Sequence, residues 1–176
     1  MKVLNIHERM LNASPAGVGA LIDSLASDND LLWPKHSWPR MEFDRPLSVD
    51  ATGGHGPIRY FIEAYTPGHS ILFRFLGPKG FEGCHSYKVI AEGDKIILRH
   101  TLEMQARGPA VISWPLVFCP MHNALIEDSL ACAEASLGLA PTIRPWSSWV
   151  RFLRWILSGG KASRQVTQKK GTNHLR

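Results

Sequence analysis

The sequence predicts one α+β domain, a curved antiparallel sheet of about six strands wrapped on a long C-terminal helix with an apolar cavity between them. Three observations give the order of strands and helix. Between Met41 and Arg107 apolar and polar residues alternate segment after segment, with short Gly- and Pro-centred turns between the runs. After Gly108-Pro109 the period becomes helical, and from Met121 to Leu137 it is sustained, with apolar stripes on two sides. The length, 176 residues, suits a single core, and an apolar fraction of 44% with 20% charged residues is that of a soluble globular chain.

Residues 2–11 read as a first strand with mixed alternation. Ser14-Pro15 supplies an N-cap and a proline at the first helical position, and Val18, Leu21, Ile22 and Leu25 follow at helical spacing, so a helix is predicted over 15–26. Residues 27–40, rich in Asp, Pro and Trp, read as a loop with a short helical turn. Met41, Phe43, Leu47 and Val49 suggest an edge strand because Pro46 lies within it. The segment 53–57 reads as a glycine-rich loop. Strands follow through Ile58–Tyr65, Ile71–Leu76, Phe81–Ala91 and Ile96–Arg107, joined by turns at Pro67-Gly68, Gly77-Pro78-Lys79-Gly80 and Gly93-Asp94. Sequential strands joined by short turns form an antiparallel meander. Pro109, Pro115 and Pro120 predict a short helical segment and then a kink before the long helix, which Gly138 caps.

Turn positions also set registers. A turn centred on Gly93-Asp94 puts Val89 opposite Leu98, Tyr87 opposite His100 and His85 opposite Leu102, all on the apolar face. A turn centred on Pro67-Gly68 puts Tyr60 opposite Phe75, Ile62 opposite Phe73 and Ala64 opposite Ile71. The inward face therefore carries Tyr60, His85, Tyr87 and His100 among large apolar residues. Buried polar groups need partners, so Tyr87 and His100 read either as a hydrogen-bonded core pair or as placed polar groups of a small-molecule pocket. Tyr60, Ile62, Phe73, Phe75, His85, Tyr87, His100, Leu102, Met104 and Leu125 are the candidate pocket residues. Tyr87 and His100 are the candidate acid–base pair, with His85 diagonal to His100 and Glu103 on the opposite face. The outer face, with Phe61, Tyr65, Leu72 and Leu76, offers a candidate homodimer patch.

Several function classes are disfavoured. His55, His69, His85, His100 and His122 show no HxH or HxxxH spacing and no inward carboxylate accompanies them, so no metal is expected. His122 and Asp128 lie about 240° apart on a helix and form no dyad. Gly53-Gly54-His55-Gly56 precedes a strand, not a helix, and forms no phosphate cradle; no cofactor is expected. Three cysteines without CxxC spacing (Cys84, facing outward, with Cys119 and Cys132 as small core residues) suit a reducing compartment. The start lacks the apolar run of a signal peptide, so a cytoplasmic location is expected.

The net charge of +5 is unevenly placed. Residues 144–176 hold eight Lys and Arg and no acid; subtracting these from the 20 in the chain leaves 12 bases against 15 acids in residues 1–143. The basicity belongs to the tail, which argues against nucleic acid as a partner of the domain. Within the tail, Trp146, Trp149, Val150, Leu153, Ile156 and Leu157 share one face of a helical wheel, and Arg151 and Arg154 lie on the other. Such a helix either packs on the domain or meets an anionic membrane surface, with Trp146, Trp149, Leu153 and Ile156 as candidate contacts and a peripheral membrane location. Three regions are expected: a ligand-binding domain over 1–138, a linker and amphipathic helix over 139–160, and a basic, disordered tail over 161–176.

The segments Leu31-Leu32-Trp33-Pro34 to Ser37-Trp38-Pro39, Gly53 to Tyr60, Arg99 to Met104 and Trp114 to Asp128 resemble the helix-grip superfamily. The likeness is to START-like proteins, in particular the polyketide cyclase/dehydrase-like group, over about residues 2–138. The resemblance implies a hydrophobic ligand (lipid, polyketide or isoprenoid-like) between sheet and helix, and neither an obligatory metal nor a nucleotide. Two functions follow from it, binding or transfer of that ligand and a cyclase or dehydratase reaction, for which the hairpin register offers Tyr87 and His100. A membrane-associated accessory role through the tail is the third expectation. The superfamily shares a cavity and not a catalytic motif, so no catalytic residue is carried over.

Overall fold

A computed structural model describes residues 1–159 and Gln165. A seven-stranded sheet has the order β1-β7-β6-β5-β4-β3-β2, and every neighbouring pair is antiparallel. The strands are β1 (Lys2–Leu11), β2 (Glu42–Phe43), β3 (Thr52–His55), β4 (Ile58–Thr66), β5 (Ser70–Gly77), β6 (Phe81–Glu92) and β7 (Lys95–Ala106). The long helix α3 (Cys119–Ser136) grips the concave side, as expected for the helix-grip arrangement. Sequence alternation overestimates the strand at 41–49 and misses β3. Only Glu42 and Phe43 pair, with Gly54 and Gly53 of β3, so the glycine-rich segment is itself a short strand.

Helix α1 (Pro15–Asp23) starts where the Ser-Pro signal places it, and the Ser14 hydroxyl accepts from the Gly17 N–H. It ends three residues before the predicted boundary. Val18, Leu21 and Ile22 face the core. Asp23 then accepts from the Tyr65 hydroxyl at 2.7 Å and from the Gly68 N–H at 2.8 Å, which ties the helix to the β4–β5 turn. The helix lies so close to that turn that a Cβ on Gly19 would fall 2.1 Å from the Gly68 carbonyl oxygen. Gly19→Ala is therefore expected to push α1 off the sheet and destabilise by about 2–3 kcal/mol. A shift of the urea midpoint at unchanged slope would show it; an unshifted midpoint would remove this packing argument.

The chain is helical from Ala110 to Ser136. α2 (Ala110–Ser113) passes into a π-helical turn (Trp114–Phe118) and then into α3. The expected kink is this π turn, which accommodates Pro115 and Pro120 without ending the helix. The polar strip of α3 is covered by β1. Glu127 accepts from His7 at 2.8 Å and Arg9 at 2.9 Å, and Asn123 accepts from Asn5 at 2.9 Å. β1 has mixed alternation because its concave face is half polar.

The segment after α3 folds back and leads into α4 (Ser148–Leu157). Glu134 holds the return by accepting from the Thr142 N–H at 2.7 Å. Val150, Leu153 and Arg154 of α4 are buried against the domain. Apart from Gln165, the expected disordered tail over 161–176 lies outside the described residues.

Candidate functional site

Between the sheet and α3 lies a cavity of about 430 Å³. β5, β6 and β7 supply Phe75, Phe81, His85, His100 and Leu102; the π turn and α3 supply Val117, Phe118, Met121, His122 and Leu125. Trp33, Trp38 and Pro39 enter from the 24–41 loop, and His55, Gly56 and Pro57 from the β3–β4 turn. Leu157, Ser158 and Arg154 of the α4 region border it as well. The lining residues Pro39, Gly56, Pro57 and Leu157 are also exposed, and they mark the mouth.

Asp30 organises the loop that carries the two tryptophans. Its carboxylate accepts from the N–H groups of Ala26, Leu32 and Trp33, at 2.7–2.9 Å. The Trp33 indole then donates to the Pro39 carbonyl at 2.9 Å and its ring lies 4.7 Å from that of His55.

Four histidines line the wall, and two of them, His55 and His122, are not among the sequence candidates. His85 Nδ1 and His100 Nε2 are 3.4 Å apart, so one of the two carries the proton between them. The His122 ring stands 5.1 Å from that of His100, and His55 Nδ1 meets the Tyr60 hydroxyl at 3.0 Å. Burial holds the His55 and His122 imidazoles down at about 3, and those of His85 and His100 well below their ordinary value. All four are neutral at pH 7, and a neutral imidazole offers one donor and one acceptor. Among the described residues His85 Nε2, His100 Nδ1 and both nitrogens of His122 are buried without a hydrogen-bond partner. These nitrogens have essentially no accessible surface and sit just behind the wall that their rings form, so the rings and not these atoms meet the cavity.

Of the ten candidate pocket residues, Phe75, His85, His100, Leu102 and Leu125 border the cavity. Tyr60, Ile62, Phe73, Tyr87 and Met104 do not; they are packed in the core beside it. The pairing of Tyr87 with His100 holds as a register and as an edge-to-face ring contact at 4.7 Å. It fails as an acid–base pair. The Ser129 hydroxyl donates to the Leu32 carbonyl at 3.0 Å, so the Tyr87 hydroxyl donates to Ser129 at 2.8 Å and is committed there. The β4–β5 register is also corrected. Tyr60–Phe75 and Ile62–Phe73 pair as expected, but an irregularity between Ile62 and Ala64 sets Ala64 opposite Leu72 and Tyr65 opposite Ile71. Ala64 is exposed in consequence, and Tyr65 leans on the core.

Two of the four candidate membrane contacts, Trp146 and Leu153, are buried, as is Arg154 from the predicted polar face. The Arg154 guanidinium lies between the Trp38 and Trp146 rings, 4.1 and 4.2 Å from their centroids, and donates to the Ser37 carbonyl. Beneath it Asp128 accepts from both indole N–H groups at 2.8 Å and from Gln165 at 2.7 Å. This cluster fastens α4 beside the mouth.

No protein-family model matches the chain, and no curated protein sequence does. Solved structures do match. A Thermobifida fusca protein solved by NMR is 12% identical and covers 80% of this chain and 99% of its own, with a TM-score of 0.60. Truncated norcoclaurine synthase from Thalictrum flavum is 17% identical over 78% of this chain and 94% of its own, with a TM-score of 0.58. CalU16 from Micromonospora echinospora is 10% identical over 91% and 96%, with a TM-score of 0.56. At these identities the likeness establishes the fold, and that fold is helix-grip.

Proposed function

From a helix-grip chain with a histidine-lined apolar cavity, we propose that this protein binds and carries a small hydrophobic molecule bearing one or two hydrogen-bonding groups. The single observation behind this reading is the cavity: about 430 Å³, walled mainly by aromatic and aliphatic side chains, with the rings of His55, His85, His100 and His122 among its lining residues. Neutral imidazoles suit a hydroxyl or carbonyl better than a charge. A carboxylate would have to be desolvated with no cation among the described residues of the deep wall to meet it. Among the described residues one guanidinium borders the cavity, that of Arg154, and it lies between two indoles near the mouth.

Leu125 faces the cavity from α3 and is buried. Leu125→Trp is expected to fill part of the space and weaken binding of a fluorescent apolar probe such as diphenylhexatriene at least tenfold, with the circular dichroism spectrum unchanged. Equal binding by the variant would place the probe elsewhere and sink the reading. Native mass spectrometry of the protein from its own host would identify the co-purifying guest.

An enzyme is the second reading, favoured by the His85–His100 contact beside the cavity. The same fold houses norcoclaurine synthase, an enzyme, which supports this second reading. The candidate groups become His85, His100 and His122, because Tyr87 is committed to Ser129. General acid–base catalysis works best with a group whose pKa lies near the working pH, and burial sets these imidazoles far below it, which favours carriage over turnover. His100→Gln separates the two: a carrier keeps probe affinity within a few fold, whereas an enzyme loses its turnover.

A further inference from the structure

The outward face of α4 is apolar. Trp149, Phe152, Trp155, Ile156 and Leu157 are each about half exposed or more. The Trp149, Phe152 and Trp155 rings stack in series at 5.5 and 6.4 Å. The patch does not stop at α4. The Trp149 indole donates to the Leu116 carbonyl at 2.7 Å, and the Leu116 side chain is itself exposed. On both sides this patch adjoins the cavity, through Leu157 in one direction and through Val117 and Phe118, next to Leu116, in the other. The mouth therefore opens at the edge of an aromatic ridge.

We infer that this ridge is a docking surface for an anionic phospholipid bilayer, and that docking turns the cavity mouth toward the lipid. Resting on the carrier reading above, the inference names where the cargo is exchanged. An apolar ridge needs an apolar phase, and aromatic side chains are favoured at the boundary between headgroups and acyl chains. The sign of the headgroup follows from charge. From Arg144 on the chain has eight Lys and Arg and no acid, five of them in residues 161–176. Arg151, on the same helix, is exposed. With Arg154 turned inward and Arg144 ion-paired to Glu127 at 3.1 Å, the attraction falls to Arg151 and the basic extension that follows α4. Juxtamembrane basic clusters act in this way on anionic lipid.

The test is sedimentation of the full chain with phosphatidylcholine vesicles and with vesicles containing about one third phosphatidylserine. Binding to the anionic vesicles at least tenfold stronger than to the neutral ones is expected, weakening as salt is raised. The double variant Phe152→Ser with Trp155→Ser removes two half-exposed rings whose ring contacts are with each other and with Trp149. It should keep its melting temperature and lose vesicle binding at least tenfold. Equal binding by the variant, or equal binding to both vesicle types, would overturn the inference. So would a dimer in ultracentrifugation that the double variant dissolves, since the ridge would then serve a second copy. Vesicles that do not bind while an oligonucleotide does would assign the basic tail to nucleic acid and overturn it as well. Anionic vesicles should also speed release of preloaded diphenylhexatriene from the native chain and not from the variant. If the probe never binds in solution, the carrier reading fails while sedimentation still decides docking.

Discussion

Between pH 6.5 and 5 this protein is expected to lose about 6–7 kcal/mol of stability, at a slope that rises to about 5 kcal/mol per pH unit as the unfolded histidines become fully protonated. The slope follows from linkage. His55, His85, His100 and His122 are held neutral by burial, with His55 and His122 at about 3, whereas unfolded histidines titrate near 6.5. Below that value the unfolded chain takes up four protons that the folded chain refuses. Each proton contributes about 1.4 kcal/mol per pH unit. The sign is that of a depressed folded-state pKa: stability is complete above the unfolded value and falls as pH drops from 6.5 toward 3. Carboxylates add little between pH 6.5 and 5, because most are ionised in both states there. A typical stability of about 5–15 kcal/mol would be exhausted near pH 4–5. Urea unfolding at half-unit pH steps measures the slope, and His122→Leu should remove about a quarter of it. A stability flat from pH 7 to 5 would mean that the imidazoles are hydrated and not held neutral.

Asp128→Ala is expected to cost about 3–5 kcal/mol, a drop of roughly 6–20 °C in melting temperature for a chain of this size. Asp128 is buried, and its carboxylate receives the N–H groups of Trp38, Trp146 and Gln165. Removing it leaves two indole donors in a dry site and takes a negative charge from beneath the Arg154 guanidinium. The loss should be local before it is global, with the return segment and α4 released first. Limited proteolysis would then cut between residues 138 and 148 in the variant while the sheet stays protected. Asp128→Asn keeps an acceptor oxygen and should lose about half as much. Equal melting temperatures for native and Ala proteins would show that α4 is held without Asp128, by its apolar contacts and the Arg154 and Trp149 hydrogen bonds.

The parts of the fold legible in the sequence are those governed by local rules. The β6–β7 hairpin is read correctly at every pair because Gly93-Asp94 sets the turn and a two-residue period permits no other coherent face. In the β4–β5 hairpin the same rule holds near the sheet centre and fails toward the turn. One extra residue at Glu63 flips the next two side chains, and Glu63-Ala64-Tyr65 contains no signal that marks a bulge. The site was half legible for the same reason. His85 and His100 lie on strands whose inward face alternation identifies. His55 sits in a glycine-rich stretch and His122 on a helix apolar on two sides, so neither carries a facing signal of its own.

By itself the sequence determined the element order, the inward face of the meander, the enclosed long helix and the basic, acid-free C-terminal stretch, because caps, turns and periodicity act within a few residues. Only the tertiary structure decided which residues share the cavity, that Tyr87 spends its hydroxyl on Ser129, and which way α4 turns. Arg154 faces inward against the wheel because two indoles 108 positions apart in the chain and the buried Asp128 make a better environment for a guanidinium than the surface does, and that juxtaposition exists only after the chain has folded.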